Sequence, residues 1–354
     1  METSLKTPKA VEHEKHISPE HILQIGMGFW ASKTVLTAVG LKLFTLLAKK
    51  PLTGREIKNY LKLHERSYLD FLDSLTALGL LNRESIGEDA VYYNTEETNI
   101  FLDRNKPSYI GGMLEMSNTR LYTFWGNLEE SLHNGLPQNE LKESNSKNQF
   151  YDFYSNPEAL TEFQNAMASL QAGAFISFVN QFDFSNYSTL CDVGGGTGAF
   201  SIHVASKIPK IKCINFDLKA VESEAKKRIE KAGLSDRIKT ASGDFFKDPL
   251  PQADVIVMGN VLHDWNDEEK IQLIKKAYQA LPDGGALVSI ENIIDNERKK
   301  NAFGLLMSLN MLIETKGGRD YTFNDFDTWV HMVGFKKTDW IQLAGPSSAA
   351  VAYK

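Results

Sequence analysis

Leu190-Cys191-Asp192-Val193-Gly194-Gly195-Gly196-Thr197-Gly198-Ala199-Phe200 runs from a short apolar stretch into a cluster of glycines and out into an amphipathic one. Phe200, Ile202, Val204 and Ala205 continue the amphipathic part, so the segment predicts strand, tight turn, helix. Glycine lets the backbone take positive φ and come close to a ligand with no Cβ between them. The first turn of the following helix offers N–H groups without intrahelical partners. Asp217 closes the next apolar run, Ile211 to Phe216, at the distance where a ribose hydroxyl is held in nucleotide-binding folds. A nucleoside-containing cofactor in the C-terminal half follows. The glycines alone leave its identity open: from Gly194 they fit G-x-G-x-G, and through Ala199 also the dinucleotide form G-x-G-x-x-A.

From Ser188 onward, strand signals alternate with helical ones. Strands are predicted at Thr189–Val193, Ile211–Phe216, Ile238–Ala241, Val255–Met258 and Ala286–Glu291, with helices near 198–207, 219–232 and 267–281. That alternation predicts a parallel α/β sheet with right-handed crossovers. A helix at Phe323–Val333 and two apolar runs, Trp340–Leu343 and Ala349–Tyr353, predict a late antiparallel hairpin at the sheet edge.

The rest of the chain reads differently. At 354 residues it has room for a second domain. Residues 1–18 read as a loose arm without the apolar core of a signal peptide. Pro19 to Ala48 is helical and apolar around much of its circumference, interrupted by Lys33 and Lys42, which implies burial on two sides and hence a homodimer. No unbroken apolar run reaches the length of a membrane span, so no membrane association is expected. Thr53 reads as a helix cap, followed by helices to Leu63 and from Ser67 to Leu78, then a hairpin over Asn82–Tyr93 with Gly87 at its tip. This is a winged-helix pattern. Its second helix carries Asp70 and Asp73 and no base, and the net charge is −6, so nucleic-acid binding is not expected. Cys191 and Cys213 fall inside strands and read as buried apolar residues, in keeping with a cytoplasmic protein. Residues 106–182 read as helical, with Met113, Met116, Phe150, Tyr151, Phe153, Phe163 and Met167 among their large side chains. These suit a core or the wall of an aromatic-substrate pocket.

Open α/β sheets bind ligands beyond the carboxyl ends of their strands. The clusters there are Asp192 with the glycines, Asp217, Gly243-Asp244-Phe245-Phe246, Gly259 to Trp265, and Glu291-Asn292. Asp244 can accept from an adenine amine and Phe245 can cover the ring. His263 precedes a helix start, Asn266-Asp267-Glu268-Glu269, and so sits on the loop at the crevice mouth. Asp264, Asp267 and Glu268 read as a solvated helix start, not as metal ligands.

Together, Asp-Val-Gly-Gly-Gly-Thr-Gly at 192–198, Gly-Asp-Phe-Phe at 243–246, His-Asp-Trp at 263–265 and Gly-Gly-Arg-Asp-Tyr-Thr at 317–322 resemble the S-adenosylmethionine-dependent small-molecule O-methyltransferases. That group includes caffeate-type, bacterial polyketide and phenazine, and acetylserotonin enzymes. The likeness runs from about residue 20 to the end. It implies a Rossmann-like class I methyltransferase sheet with an N-terminal winged-helix dimerisation domain. The corresponding division is 1–105 for dimerisation, 106–182 for a helical linker contributing to the substrate pocket, and 183–354 for catalysis. The resemblance further implies that Gly194 and Gly196 approach the methionine part of the cofactor, Asp217 its ribose, and Asp244 and Phe245 its adenine. Gly259 stands where many plant members carry a cofactor-contacting lysine, so that contact is lost or supplied elsewhere. His263 is the implied general base, oriented by Glu291 and by Asp320, which is shorter than the usual glutamate. Phe163, Met167, Asn310 and Met311 fall at or near pocket positions. The implied acceptor is a hydroxylated aromatic or polyketide-like molecule, with no metal.

Three other functions compete with this one. A nicotinamide-dependent dehydrogenase fits the glycines but leaves Gly-Asp-Phe-Phe and His-Asp-Trp unexplained. A winged-helix regulator that senses a ligand conflicts with the acidic second helix. An N- or C-methyltransferase, or a relative that does not methylate, keeps the fold; His263 with Glu291 favours oxygen.

Overall fold

The computed structural model describes residues 17–142 and 157–354, in two compact units divided at Thr95 and Glu96. Most of the expected N-terminal arm, and Phe150, Tyr151 and Phe153, lie outside the described residues.

In the first unit, the helical stretch read over Pro19–Ala48 forms three helices: Glu20–Gly26, Gly28–Gly40 and Leu43–Leu47. Gly26 and Gly28 flank the break at Met27, where backbone entropy disfavours continuation. Lys42 makes the second break by entering the left-handed region at φ 59°. Leu36, Val39, Leu43, Phe44 and Leu47 are buried, whereas Ile22, Leu23, Ile25, Phe29 and Trp30 are 52–74% exposed. Taken across the Met27 break, Glu20–Gly40 is 21 residues and by length and composition apolar enough to cross a membrane, although Lys33 interrupts its apolar run.

Thr53 caps the Gly54–Leu61 helix through a capping box. The Glu56 N–H donates to Thr53 Oγ1 at 3.2 Å, and the Thr53 N–H donates to Glu56 Oε2 at 2.8 Å. The helix Tyr68–Ala77 follows, then β2 (Leu81–Glu84) and β3 (Val91–Asn94), which pair antiparallel as the hairpin reading requires. A third strand, β1 (Leu52–Thr53), pairs with β3. Asp73 accepts from Arg83 Nη1 at 2.6 Å and from the Tyr92 hydroxyl at 2.7 Å, tying the second helix to the hairpin.

The second unit holds a seven-stranded sheet in the order β6-β5-β4-β7-β8-β10-β9. Its strands are β4 (Thr189–Val193), β5 (Lys212–Asp217), β6 (Ile238–Ser242), β7 (Val255–Gly259), β8 (Ala286–Glu291), β9 (Lys337–Gln342) and β10 (Ser348–Tyr353). The first five are parallel, and β10 runs antiparallel between β8 and β9, the late hairpin at the edge. The chain steps outward from β4 through β5 to β6, then returns to β7 on the other side. That reversal opens a crevice at the carboxyl ends of β4 and β7.

Strand alternation separates two cores. Cys191, Val193, Ile256 and Met258 face Leu273, Ile274 and Phe326 on one side. Leu190, Val255 and Val257 face Phe175, Phe178 and Phe200 on the other. Both cysteines are buried and free.

Two helices escaped the sequence reading, Glu96–Phe101 and Ala302–Glu314. The second is apolar nearly all round: Met307, Met311 and Ile313 are buried, while Phe303 and Leu306 are 42% and 53% exposed. A segment without a polar face has no period to detect. The region before the sheet is helical over Gly111–Met116 and Leu128–Asn134, with one π-helical turn at Ser117–Leu121, and again over Pro157–Gln181.

Candidate active site

β4 ends at Val193, and Gly194, Gly196 and Gly198 follow with φ of 71°, 52° and 78°. A Cβ on Gly195 would lie 2.2 Å from Asn215 Oδ1, so glycine is required there by crowding from β5. At Gly196 a Cβ would meet nothing within 4 Å, so this side of the turn is open. The Gly196 N–H donates to Asp217 Oδ2 at 2.8 Å and the Leu218 N–H to Asp217 Oδ1 at 2.6 Å. Burial pushes the Asp217 carboxyl up to about 6 against these two donors. Burial pushes Asp192 up to about 7, although Ser201 Oγ donates to it at 3.1 Å.

Beyond β6, Asp244 accepts from the Phe246 N–H at 2.9 Å and pairs with Lys247 Nζ at 2.9 Å. Phe245 meets Trp265 edge-on at 5.8 Å between centroids. At the end of β7, a Cβ on Gly259 would lie 3.1 Å from Phe175 Cε1 and 3.2 Å from Gln171 Oε1. A lysine at this position would have to displace both. Asn260 follows at φ 50°.

His263 sits on the 3-10 turn Leu262–Asp264 and is 4% exposed. Its Nδ1 lies 3.3 Å from Asp320 Oδ1, within ion-pair reach though not aligned as a hydrogen bond, and its Nε2 lies 3.7 Å from Asp264 Oδ1. Glu291 Oε1 accepts from the backbone N–H groups of Val261 at 3.1 Å, Leu262 at 2.8 Å and His263 at 3.2 Å. Glu291 therefore holds the histidine by its main chain. Burial alone would lower the imidazole; Asp320, Asp264 and Glu291 outweigh it and raise His263 to about 10. Burial also pushes Asp264 up to about 7, in spite of the adjacent imidazole. The solvated helix start expected at Asp264 is thus corrected: its side chain is 17% exposed and lines the cavity, while Glu268 is exposed. Asn266 begins the Asp267–Ala280 helix with a capping box to Glu269.

Asp320, short as it is, comes near His263 because its segment packs against the turn that carries the histidine. A Cβ on Gly318 would lie 2.6 Å from the His263 carbonyl oxygen and 2.7 Å from that of Asp264. Arg319 grips Asp267 with two hydrogen bonds, at 3.0 and 2.6 Å. Lys270, fully buried, donates to the Trp265 carbonyl at 2.5 Å beneath the turn.

A cavity of about 360 Å³ has Gly194, Gly196, Asp217, Asp244, Phe245 and Gly259 on its wall. His263, Phe163, Met167, Asn310 and Met311 line the same space. Glu291 and Asp320 do not; both are 1% exposed, behind the wall. Asn310 Oδ1 accepts from Trp125 Nε1 at 2.8 Å, and Phe163 and Met167 pack with Met113 and Trp125 around Met116. Sequence reasoning passed over Gln164, Gln171 and Glu314, which also line the cavity. Gln164 is buried, and its Nε2 has no partner among the described residues. The signal was available: Gln164 and Gln171 are polar and seven residues apart on an otherwise apolar helical stripe with Met167 and Phe175. Among the described residues, no group of three His, Cys, Asp or Glu is arranged to hold a metal.

Residues 125–336 match a family model described as an O-methyltransferase domain, and residues 23–104 match one described as an O-methyltransferase dimerisation domain. A tetracenomycin polyketide synthesis 8-O-methyl transferase, TcmO, of Streptomyces glaucescens is 37% identical over 95% of this chain and 97% of its own. Acetylserotonin O-methyltransferase of Bos taurus is 31% identical over 92% of this chain and 95% of its own. The crystal structure of human N-acetylserotonin methyltransferase with S-adenosylmethionine superposes with a TM-score of 0.89 at 28% identity, covering 97% of this chain and 99% of that one.

Proposed function

The chain belongs to the S-adenosylmethionine-dependent O-methyltransferases, and from that membership we propose that His263 is the general base that receives the acceptor's hydroxyl proton. One observation carries the reading. The glycine turn with Asp217, the wall formed by Phe163, Met167, Asn310 and Met311, and the imidazole of His263 all line a single cavity.

The residues fit the cofactor. Gly196 leaves open space where a side chain would stand, and Asp217 ends β5 on the cavity wall. When bound, S-adenosylmethionine supplies a methyl on a positively charged sulfonium, already activated toward an oxygen nucleophile. Gly194 and Gly196 are assigned to its methionine part, Asp217 to the ribose, Asp244 and Phe245 to the adenine. Gly259, with Phe175 and Gln171 against it, takes the place of a longer side chain.

A phenol keeps its proton to about pH 10, so a base assists at neutral pH. Nδ1 of His263 faces Asp320, which leaves Nε2 to take the proton. The carboxylates around the ring stabilise the imidazolium that results, and Glu291 keeps the turn in place through three N–H groups. The same carboxylates hold a proton on the resting imidazole. A positive charge brought into the cavity favours its release, so His263 becomes a base as the site fills.

The methionine and aromatic wall, with polyketide synthesis in the relative's name, supports a hydroxylated aromatic or polyketide-like acceptor and a place in secondary metabolism. The division of labour follows the sequence: 1–105, a winged helix used for association; 106–182, a contributor to the acceptor pocket; 183–354, the catalytic part. The exposed row Ile22, Leu23, Ile25, Phe29 and Trp30 lies in or beside the dimerisation match and supports a homodimer; the two free, buried cysteines suit the cytoplasm.

The test is His263→Gln. Methyl transfer from labelled S-adenosylmethionine to a panel of phenols should fall about 100-fold or more. S-adenosylhomocysteine affinity, read by calorimetry, should hold. Near wild-type transfer would remove the general-base role.

A further inference from the structure

We propose that Glu314 is a specificity-determining residue that receives a hydrogen-bond donor on an uncharged aromatic acceptor, and that the cavity turns carboxylated acceptors away. This deepens the reading of the cavity as the acceptor site and rests on it.

The charge of the wall carries the inference. Among the described residues that line the cavity, Glu140, Asp192, Asp217, Asp244, Asp264 and Glu314 bear carboxyl groups and His263 is basic, while lysine and arginine are missing. Asp192 lies within β4, Asp217 ends β5 and Asp244 follows β6, the end assigned to the cofactor. Glu140 and Glu314 belong with Asn310 and Met311, the acceptor wall.

Glu314 closes the Ala302–Glu314 helix one turn beyond Asn310, on the face that bears Met307 and Met311. Its side chain is 15% exposed, and burial pushes its carboxyl above the usual range despite Arg120. Arg120 sits on the π-helical turn Ser117–Leu121. It commits its fork to Glu140, at 3.0 and 2.7 Å, and reaches Glu314 only at 3.3 Å. One guanidinium thus serves two carboxyl groups and leaves no cation spare, and with both ionised the trio is net negative. The Asn139 amide adds a contact to Glu314 Oε1 at 3.4 Å. A carboxylate offers about four acceptor positions. Two long contacts leave Glu314 able to accept from a hydroxyl or amide on a ligand. They leave no open fork for a carboxylate, because the Arg120 guanidinium is taken by Glu140. An anion held about 6 Å from one unbalanced charge loses on the order of a hundredfold in affinity at an effective dielectric of about 20.

The experiment compares 3-hydroxy-2-naphthamide with 3-hydroxy-2-naphthoate, similar in shape and different in charge, by calorimetry on enzyme saturated with S-adenosylhomocysteine. The amide should bind at least about tenfold more tightly. Glu314→Gln should narrow the gap by strengthening naphthoate binding, with S-adenosylhomocysteine affinity reporting that the variant is folded. Should that variant fail to fold, Glu140→Gln frees the Arg120 fork and should narrow the gap the same way. Equal or tighter naphthoate binding by the wild type, or a gap unchanged in the variants, overturns the proposal. If neither probe binds, the acceptor-site reading fails and takes the proposal with it. If only Glu314 is misassigned, the probes still bind and Glu314→Gln leaves the gap between them unchanged.

Discussion

Single carboxyl groups decide how this site answers to pH. In the proposed role, Asp217 accepts from both ribose hydroxyls best when ionised, and burial has raised it to about 6. S-adenosylhomocysteine affinity should therefore be full above pH 7 and weaken as pH falls through about 6. Calorimetry from pH 5 to 8 checks this, and Asp217→Asn should bind more weakly with that dependence gone. An affinity independent of pH in the wild type would remove the role assigned to Asp217. The same groups act on stability. Asp192, Asp217 and Asp264 have folded values raised to about 7, 6 and 7, so between about pH 4 and pH 7 the folded state binds more protons than the unfolded one. Their contribution is largest below about pH 4 and is lost as pH rises through neutrality. His263, raised to about 10, contributes fully below about pH 6.5 and loses its contribution as pH climbs through the folded value. None of these environments could be read from the sequence. Asp264 looked like one more acid at a helix start until packing placed it beside the imidazole.

The Gly317–Thr322 segment supports the site by close approach, not by a special backbone. Gly318 leaves no room for a methyl between itself and the carbonyls of His263 and Asp264. Gly318→Ala must shift backbone on one side or the other and should cost about 1–3 kcal/mol, seen as a lowered melting temperature, with catalysis slowed as Asp320 moves off Nδ1. A variant with unchanged melting and rate would show that the segment yields freely. The glycine pair was legible as a motif, but its partners are more than fifty residues away in the chain, and only the fold names them. The strands from β4 to β8 were legible because buried parallel strands are short apolar runs bounded by turns. The Ala302–Glu314 helix was not, because its exposed positions include Phe303 and Leu306.

At the scale of the whole molecule, the first two helices leave Ile22, Phe29 and Trp30 exposed. Trp30→Glu with Phe29→Glu should halve the mass measured by light scattering, because a charge at the centre of an apolar interface opposes association. A wild-type mass already equal to one chain would overturn the homodimer. The order of apolar runs, the glycine turn and the acid after the second strand by themselves determined a doubly wound sheet that binds a nucleoside cofactor, because those features are local and periodic. The family followed from four motifs in register. Tertiary structure alone decided that Glu291 works through main-chain N–H groups, that Asp320 comes within 3.3 Å of the imidazole despite its length, and that Glu314 lines the cavity. Those facts depend on distances between segments far apart in the chain. Side-chain burial and charge balance arise only when the segments close on one another.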